Sequence, residues 1–219
     1  MKKLVVFDLD GTLLNTIADL AESTNHALKE FGYPVHTVEE YYYFVGNGIN
    51  KLFERALPEN ERTQENILKI RSSFVPYYNV HNADYSRPYP GIPELLAKLQ
   101  EQGIKLAVAS NKYQAATEKL VKHYFPEIHF AAVLGQREGI PTKPDPGIVR
   151  DCMHMAEIEN REEVLYVGDS NVDMQTALNA GVDAVGVAWG FRPESELKAF
   201  CPKCIAHDAT EILNLINKE

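Results

Sequence analysis

The stretch Leu4-Val5-Val6-Phe7-Asp8-Leu9-Asp10-Gly11-Thr12 decides the fold. Four apolar residues in a row, with no polar alternation, suit a strand buried on both faces of a parallel sheet. The run ends on an acid. Residues i and i+2 of an extended segment point to the same side, so Asp8 and Asp10 face one place. Gly11 lets the backbone turn away at once. Two carboxylates this close repel when both are ionised, which raises the pKa of one. Either a cation neutralises the pair, or one carboxyl keeps a proton for use as an acid. Taken alone, the same residues also suit a plain strand-end turn.

Similar apolar runs recur at 105–110, 131–134, 164–167 and 184–188. Helical patterns separate them. One spans 93–100 and stops at Gly103, and another spans 113–124. Asp145-Pro146 supplies an N-cap and a first helical residue, and 171–180 ends on Gly181. Strands alternating with helices predict an α/β fold with a parallel sheet.

Between Thr16 and about Tyr85 the alternation stops. Ile17, Leu20, Ala21, Thr24, Leu28 and Phe31 share one helical face, and Gly32 ends that helix. Thr37-Val38-Glu39-Glu40 is a capping box opening a helix through Phe44. Val45-Gly46-Asn47-Gly48 reads as a turn, followed by helices at 49–56 and 61–74. Pro88, Pro90 and Gly91 mark the return. The expected organisation is an α/β core formed by 1–15 and 86–219, with an all-helical insert at 16–85. Tyr41–Phe44 is expected in the core of the insert.

Composition narrows the function. Lys and Arg total 22 against 31 Asp and Glu over 219 residues, a net charge of −9. No general positive field exists to hold a nucleic acid or an anionic membrane. A small anionic substrate needs only a local cationic anchor. No apolar stretch approaches a membrane span, and the run at 4–7 is too short for a signal-peptide core. Three cysteines make no even disulfide set. A cytoplasmic location is expected. Cys201-Pro202-Lys203-Cys204 matches CxxC, but only His207 lies near it, so no zinc or redox role is expected. There is no GxxxxGK[ST] loop, and Gly46-Asn47-Gly48 lacks the third glycine and preceding strand of a dinucleotide site.

Ligands of open parallel sheets bind at the carboxyl ends of the strands, which directs attention to three further places. Ser110-Asn111-Lys112 closes a strand, and its hydroxyl and backbone N–H groups suit phosphate oxygens, as they also suit a turn or an N-cap. Lys143 lies between Pro141 and Pro144, a restricted setting for an ammonium that offsets phosphoryl charge. Asp169 follows an apolar strand, and Asp173 lies one helical turn on, so both can face one point. A capping acid explains one of these carboxylates but not both. Converging hard oxygens suit Mg²⁺.

Together these segments resemble the haloacid dehalogenase superfamily in its phosphatase branch. FDLDGTLLNT (7–16) matches the first family motif, VASN (108–111) the second, TKPDP (142–146) the third and GDSNVD (168–173) the fourth. The resemblance implies a Rossmann-like α/β core with a helical cap inserted after the first motif. It implies Asp8 as nucleophile and Asp10 as the acid that protonates the leaving alcohol and then activates water. Ser110 and Lys143 would bind phosphate, with Asn111 beside them. Asp8, the Asp10 carbonyl and Asp169 would hold Mg²⁺, with Asp173 holding metal-bound water. Relatives often carry Asp at position 15. Asn15 caps a helix equally well, so no effect on catalysis is expected.

The presence of Asp10 favours phosphoryl transfer over dehalogenation. A phosphosugar mutase of the beta-phosphoglucomutase type, a pyrophosphatase, and a non-enzymatic regulatory module on the same fold remain alternatives. The VGNG segment resembles that of phosphoglycolate phosphatases, which implies a small phosphorylated acid such as 2-phosphoglycolate. Lys51, Arg55 or Arg87 would then contact its carboxylate, the other reading being solvated helix faces. The sequence leaves monomer or homodimer open.

Overall fold

The computed structural model describes residues 1–218. The chain opens with β1 (Leu4–Phe7) and a short β2 (Leu14–Asn15). Four helices follow, α1 (Ile17–Glu30), α2 (Val38–Phe44), α3 (Ile49–Ala56) and α4 (Gln64–His81). After β3 (Arg87–Pro88) come α5 (Ile92–Glu101), β4 (Lys105–Tyr113), α6 (Gln114–Tyr124) and β5 (Phe130–Gln136). The remainder runs α7 (Gly147–Met155), β6 (Val164–Gly168), α8 (Asn171–Ala180), β7 (Asp183–Val187), α9 (Glu194–Lys198), β8 (Cys204–Ala206) and α10 (Ala209–Lys218).

Six strands form one parallel sheet in the order β5-β4-β1-β6-β7-β8. Counted within the sheet this is 3-2-1-4-5-6, the doubly wound order whose ligand crevice lies where the winding reverses. That reversal falls at β1 and β6, the strands that carry Asp8 and Asp169 past their ends.

Period-two geometry sends alternate β1 residues to opposite faces. Val5 and Phe7 join Leu95, Leu99, Leu120 and Ile212 in one apolar cluster. Leu4 and Val6 join Ile148, Val149, Cys152 and Ala177 in the other. A third cluster belongs to α1–α4, centred on Leu28, Tyr41, Phe53, Phe74 and Tyr78, all fully buried. Of the aromatic run at 41–44, Tyr41 lies in this core while Tyr43 is exposed.

Local rules hold at several ends. The Glu40 carboxylate accepts the Thr37 N–H at 2.8 Å. The Asp145 carboxylate accepts the Gly147 N–H at 2.8 Å, one residue ahead of Pro146, which takes the cap position instead of the first helical one. Other boundaries differ from the sequence reading. The second strand runs on to Tyr113 instead of stopping at Ser110. The helix expected at 61–74 occupies Gln64–His81 and passes through Pro76. Pro76 is exposed, so water can serve the carbonyl it leaves unpaired, while Phe74 and Tyr78 anchor the helix on either side. The connectors also pair, Leu14 with Pro88 and Asn15 with Arg87, in an antiparallel two-stranded ladder. The buried Asp19 carboxylate ties α1 to this junction, accepting the Tyr85 N–H at 2.9 Å and the Ser86 N–H at 2.8 Å.

Candidate active site

Asp8 leaves the end of β1 with its N–H still donated to the Val167 carbonyl at 2.9 Å, so the ladder fixes where its side chain emerges. Its carboxylate accepts the Lys143 ammonium at 2.7 Å. The same ammonium donates to Asp173 Oδ1 at 2.7 Å, to the Ala109 carbonyl at 2.9 Å and to the Tyr166 hydroxyl at 3.0 Å. Lys143 is buried, as a cation this fully partnered can be. Burial alone would lower its pKa, but Asp173 and Asp8 outweigh that and hold it well above the usual lysine value.

Asp169 lies just past β6 and is buried. Its Oδ2 accepts the Phe191 N–H at 2.7 Å. Gly11, at φ 93°, passes so close that a Cβ there would stand 2.3 Å from Asp169 Oδ2. Only glycine fits that turn, for conformation and for space. Asp173, in the first turn of α8, accepts the Ser170 N–H at 3.1 Å and the Ser170 hydroxyl at 2.6 Å. It therefore caps its own helix and grips Lys143 at once.

Carboxylate oxygens of Asp8, Asp169 and Asp173 lie within 4.8 Å of one another. Burial pushes the Asp8 carboxyl up to about 7, with Lys143 pulling down and Asp173 and Asp10 pushing further up. Burial, then Asp173 and Asp8, push Asp169 well above the carboxylate range. Fully ionised, these three buried acids outnumber their one ammonium by two charges, an excess that protons or a cation must offset. That excess and the oxygen-only donor set fit a divalent cation.

The Asp10 carboxylate does not point into this cluster. Lys112 donates to both its oxygens at 2.9 Å, and the Thr16 hydroxyl donates to Oδ1 at 2.7 Å. Lys112 is itself buried, 4.9 Å from the centre of the Tyr78 ring. Ser110 lines the cleft, its oxygen accepting the Lys112 N–H at 3.2 Å. Asn111 is engaged with main chain. Its Oδ1 accepts the Lys143 N–H at 2.8 Å, and its amide donates to the Lys143 carbonyl at 3.1 Å and the Gly46 carbonyl at 3.0 Å.

The cleft above these groups encloses about 580 Å³ of empty space, part of it open to solvent. Leu20, Val45, Ile49 and Leu52 line it from the helical segment, and Phe191 and Arg192 from the loop after β7. The three basic residues that line it are Lys112, Lys143 and Arg192. Lys51, Arg55 and Arg87, expected at the substrate, do not. Lys51 is exposed and pairs with Glu54 at 2.8 Å. Arg55 donates to Asn47 Oδ1 at 2.8 Å and the Phe44 carbonyl at 2.9 Å, holding the 45–48 turn from behind. Arg87 serves the carbonyls of Ala83, Asp84 and Ser86. Lys112 and Arg192 are the cations that sequence reading passed over. Lys112 directly follows a singled-out pair, and Arg192 stands in a Gly-containing loop after a strand, which were the available signals. Among the described residues no second cluster of three His, Cys, Asp or Glu converges, so Cys201, Cys204 and His207 form no such group. Among the described residues no helix is long and apolar enough to cross a membrane.

Comparison with known proteins agrees with this geometry. The chain is 33 % identical over 209 residues to a phosphoglycolate phosphatase of Mesorhizobium japonicum, covering 93 % of this chain and 90 % of the relative. It is 30 % identical to the phosphoglycolate phosphatase of Vibrio parahaemolyticus, covering 98 % and 96 %. A crystal structure of a predicted phosphoglycolate phosphatase from Haemophilus somnus superimposes with a TM-score of 0.90 at 30 % identity, covering 98 % of each chain. The family model for haloacid dehalogenase-like hydrolases matches residues 5–187, and with near-complete relatives at this identity the chain belongs to that family.

Proposed function

We propose that this chain is a Mg²⁺-dependent phosphatase in which Asp8 takes a phosphoryl group from a small phosphorylated acid and hands it to water. The observation that carries the proposal is the buried Lys143 ammonium bridging Asp8 and Asp173 at 2.7 Å each, beside Asp169. A carboxylate needs no base to act as a nucleophile, but it must approach an anionic phosphoryl group. A divalent cation bound among Asp8, Asp169 and Asp173 supplies positive charge for that approach. Lys143 supplies a second positive charge, and the Ser110 hydroxyl donates to a phosphoryl oxygen. Asn111 acts through Lys143, fixing its main chain.

An Asp8 oxygen bonds to phosphorus as the ester P–O bond breaks, and the leaving oxygen takes a proton from Asp10, which must be protonated and released from Lys112 when substrate is bound. The product leaves. Water then gives a proton to Asp10 and bonds to the same phosphorus, the P–O bond to Asp8 breaks, and inorganic phosphate departs. Asp10 ends as it began, ready to donate again. The helical segment 16–85 acts as a cap that excludes bulk water.

For the substrate we propose 2-phosphoglycolate. The names of the relatives support it, and the cleft beyond the acid cluster is lined by two further basic residues, Lys112 and Arg192, both already paired within the protein. The net charge of −9 argues against nucleic acid, and we place the enzyme in the cytoplasm as a monomer or homodimer. The test is phosphate release from 2-phosphoglycolate, sugar phosphates, nucleotides and pyrophosphate, with Mg²⁺ or chelator and with Asp8→Asn as blank. Mg²⁺-dependent release greatest for 2-phosphoglycolate is expected. Release confined to another compound would replace the substrate, and none at all would remove the phosphatase reading.

A further inference from the structure

The segment Gly190-Phe191-Arg192, just beyond β7, touches both halves of the molecule. Towards the sheet, the Phe191 N–H holds Asp169 Oδ2 at 2.7 Å. Gly190 packs so tightly that a Cβ there would stand 2.1 Å from the Asp169 Cβ. Towards the helices, the Phe191 ring is buried in the apolar cluster of α1–α4 and meets Tyr42 edge-on at 5.6 Å. Arg192 reaches the end of α2, donating to the Tyr42 carbonyl, to the Val45 carbonyl at 3.0 Å and to the Tyr43 carbonyl at 3.4 Å. Its guanidinium also sits 5.6 Å from the Tyr43 ring centre. The last carbonyls of a helix have no partners within it and carry partial negative charge, which suits an arginine fork.

From this arrangement we infer that Phe191 and Arg192 are positioning residues, coupling the seat of the helical cap to the aim of the Asp169 carboxylate. If the cap lifts, the ring loses its pocket and the guanidinium keeps only Glu196, 3.6 Å away on its own stretch of chain. The 190–192 segment is then free to shift, and Asp169 loses the N–H and the packing that direct it toward Asp8 and Asp173. Coupling of this kind is reciprocal: a cation that needs Asp169 in place must also hold the cap down. Arg55 separates this device from an ordinary helix cap. It binds the same stretch of carbonyls, but from within the cap, and its side-chain hydrogen bonds go to Tyr43, Phe44 and Asn47 alone.

The inference rests on reading Asp169 as a cation ligand. The test compares full-length wild type, Arg192→Ala and Arg55→Ala without substrate, by hydrogen exchange of the 42–48 amides and by calorimetric titration with Mg²⁺. In wild type, Mg²⁺ should slow exchange at 42–48. Arg192→Ala should exchange there about tenfold faster or more, as losing one charge-assisted hydrogen bond implies. It should also bind Mg²⁺ about tenfold more weakly, the low end for disturbing an outer partner of a ligand. Its exchange should no longer respond to Mg²⁺. Arg55→Ala should speed exchange and leave Mg²⁺ affinity unchanged. Wild-type Mg²⁺ affinity in Arg192→Ala, or equal weakening in Arg55→Ala, would overturn the coupling and leave the cation site standing. A wild-type protein that binds no Mg²⁺ would overturn the site itself and the coupling with it. Should Arg192→Ala fail to fold, Arg192→Gln keeps a stem over Tyr43 without the charge and is judged by the same criteria.

Discussion

Lys143 is the residue on which the acid cluster depends. Removing one partner of a buried ion pair leaves the others uncompensated, which costs about 3–5 kcal/mol. Lys143→Met should therefore lose roughly that much stability in denaturant unfolding, with Mg²⁺ recovering part of it. A loss under about 1 kcal/mol would mean that Asp8 and Asp173 do not need this ammonium. The position was legible because two prolines frame it and because its motif stands in order with three others. Lys112 was not. Its partner Asp10 lies 102 residues away, and nothing in the local sequence announces a pair that exists only once β1 and β4 are neighbours. Arg192 escaped for the same reason, since what it binds is main chain on α2.

At the scale of elements, alternation and caps identified β1, β4, β5, β6 and β7 and most helices, because buried parallel strands and capped helices leave local marks. Lengths were less legible. The helix expected at 61–74 runs on to His81, because packing of Phe74 and Tyr78 carries α4 past Pro76. The β2–β3 ladder joins two connectors that only the folded chain brings together. β7 illustrates a pairing with a pH signature. Burial raises the Asp183 carboxyl, but hydrogen bonds and charge from Lys2 and Lys203 outweigh it and hold the group below its usual value. A carboxyl depressed in the folded state stabilises above its unfolded pKa of about 3.9, and that stability fades as pH falls through the folded value. Asp183 is partly exposed, so the effect should stay under about 1 kcal/mol. Thermal melts should show Asp183→Asn less stable than wild type at pH 6, with the gap closing in acid. A gap that persists unchanged in acid would contradict the pairing.

For the whole molecule, the doubly wound order brings the ends of β1 and β6 together and so gathers acids from opposite ends of the chain. The fold class was legible from strand–helix alternation, and the run of helices α1–α4 from the place where that alternation stops. How these helices meet the sheet was not, since that depends on Arg192 and Asn111 reaching the carbonyls at 45 and 46. The unbalanced charge among Asp8, Asp169 and Asp173 has a global consequence. A cation that binds only the folded state adds about 2.7 kcal/mol at a hundredfold excess over its dissociation constant. The melting temperature should rise with Mg²⁺ and rise far less in Asp169→Asn. Equal melting with Mg²⁺ and with chelator would argue against the site.

Transfer of phosphorus through Asp8 is the central step of the proposed reaction. The most direct measurement is rapid acid quench of the protein during turnover of radiolabelled 2-phosphoglycolate with Mg²⁺, followed by peptide mapping. Label should appear on the peptide carrying Asp8, be released by hydroxylamine as an acyl phosphate is, and be absent in Asp8→Asn. Turnover that leaves the Asp8 peptide unlabelled, or an Asp8→Asn protein that still turns over, would contradict it.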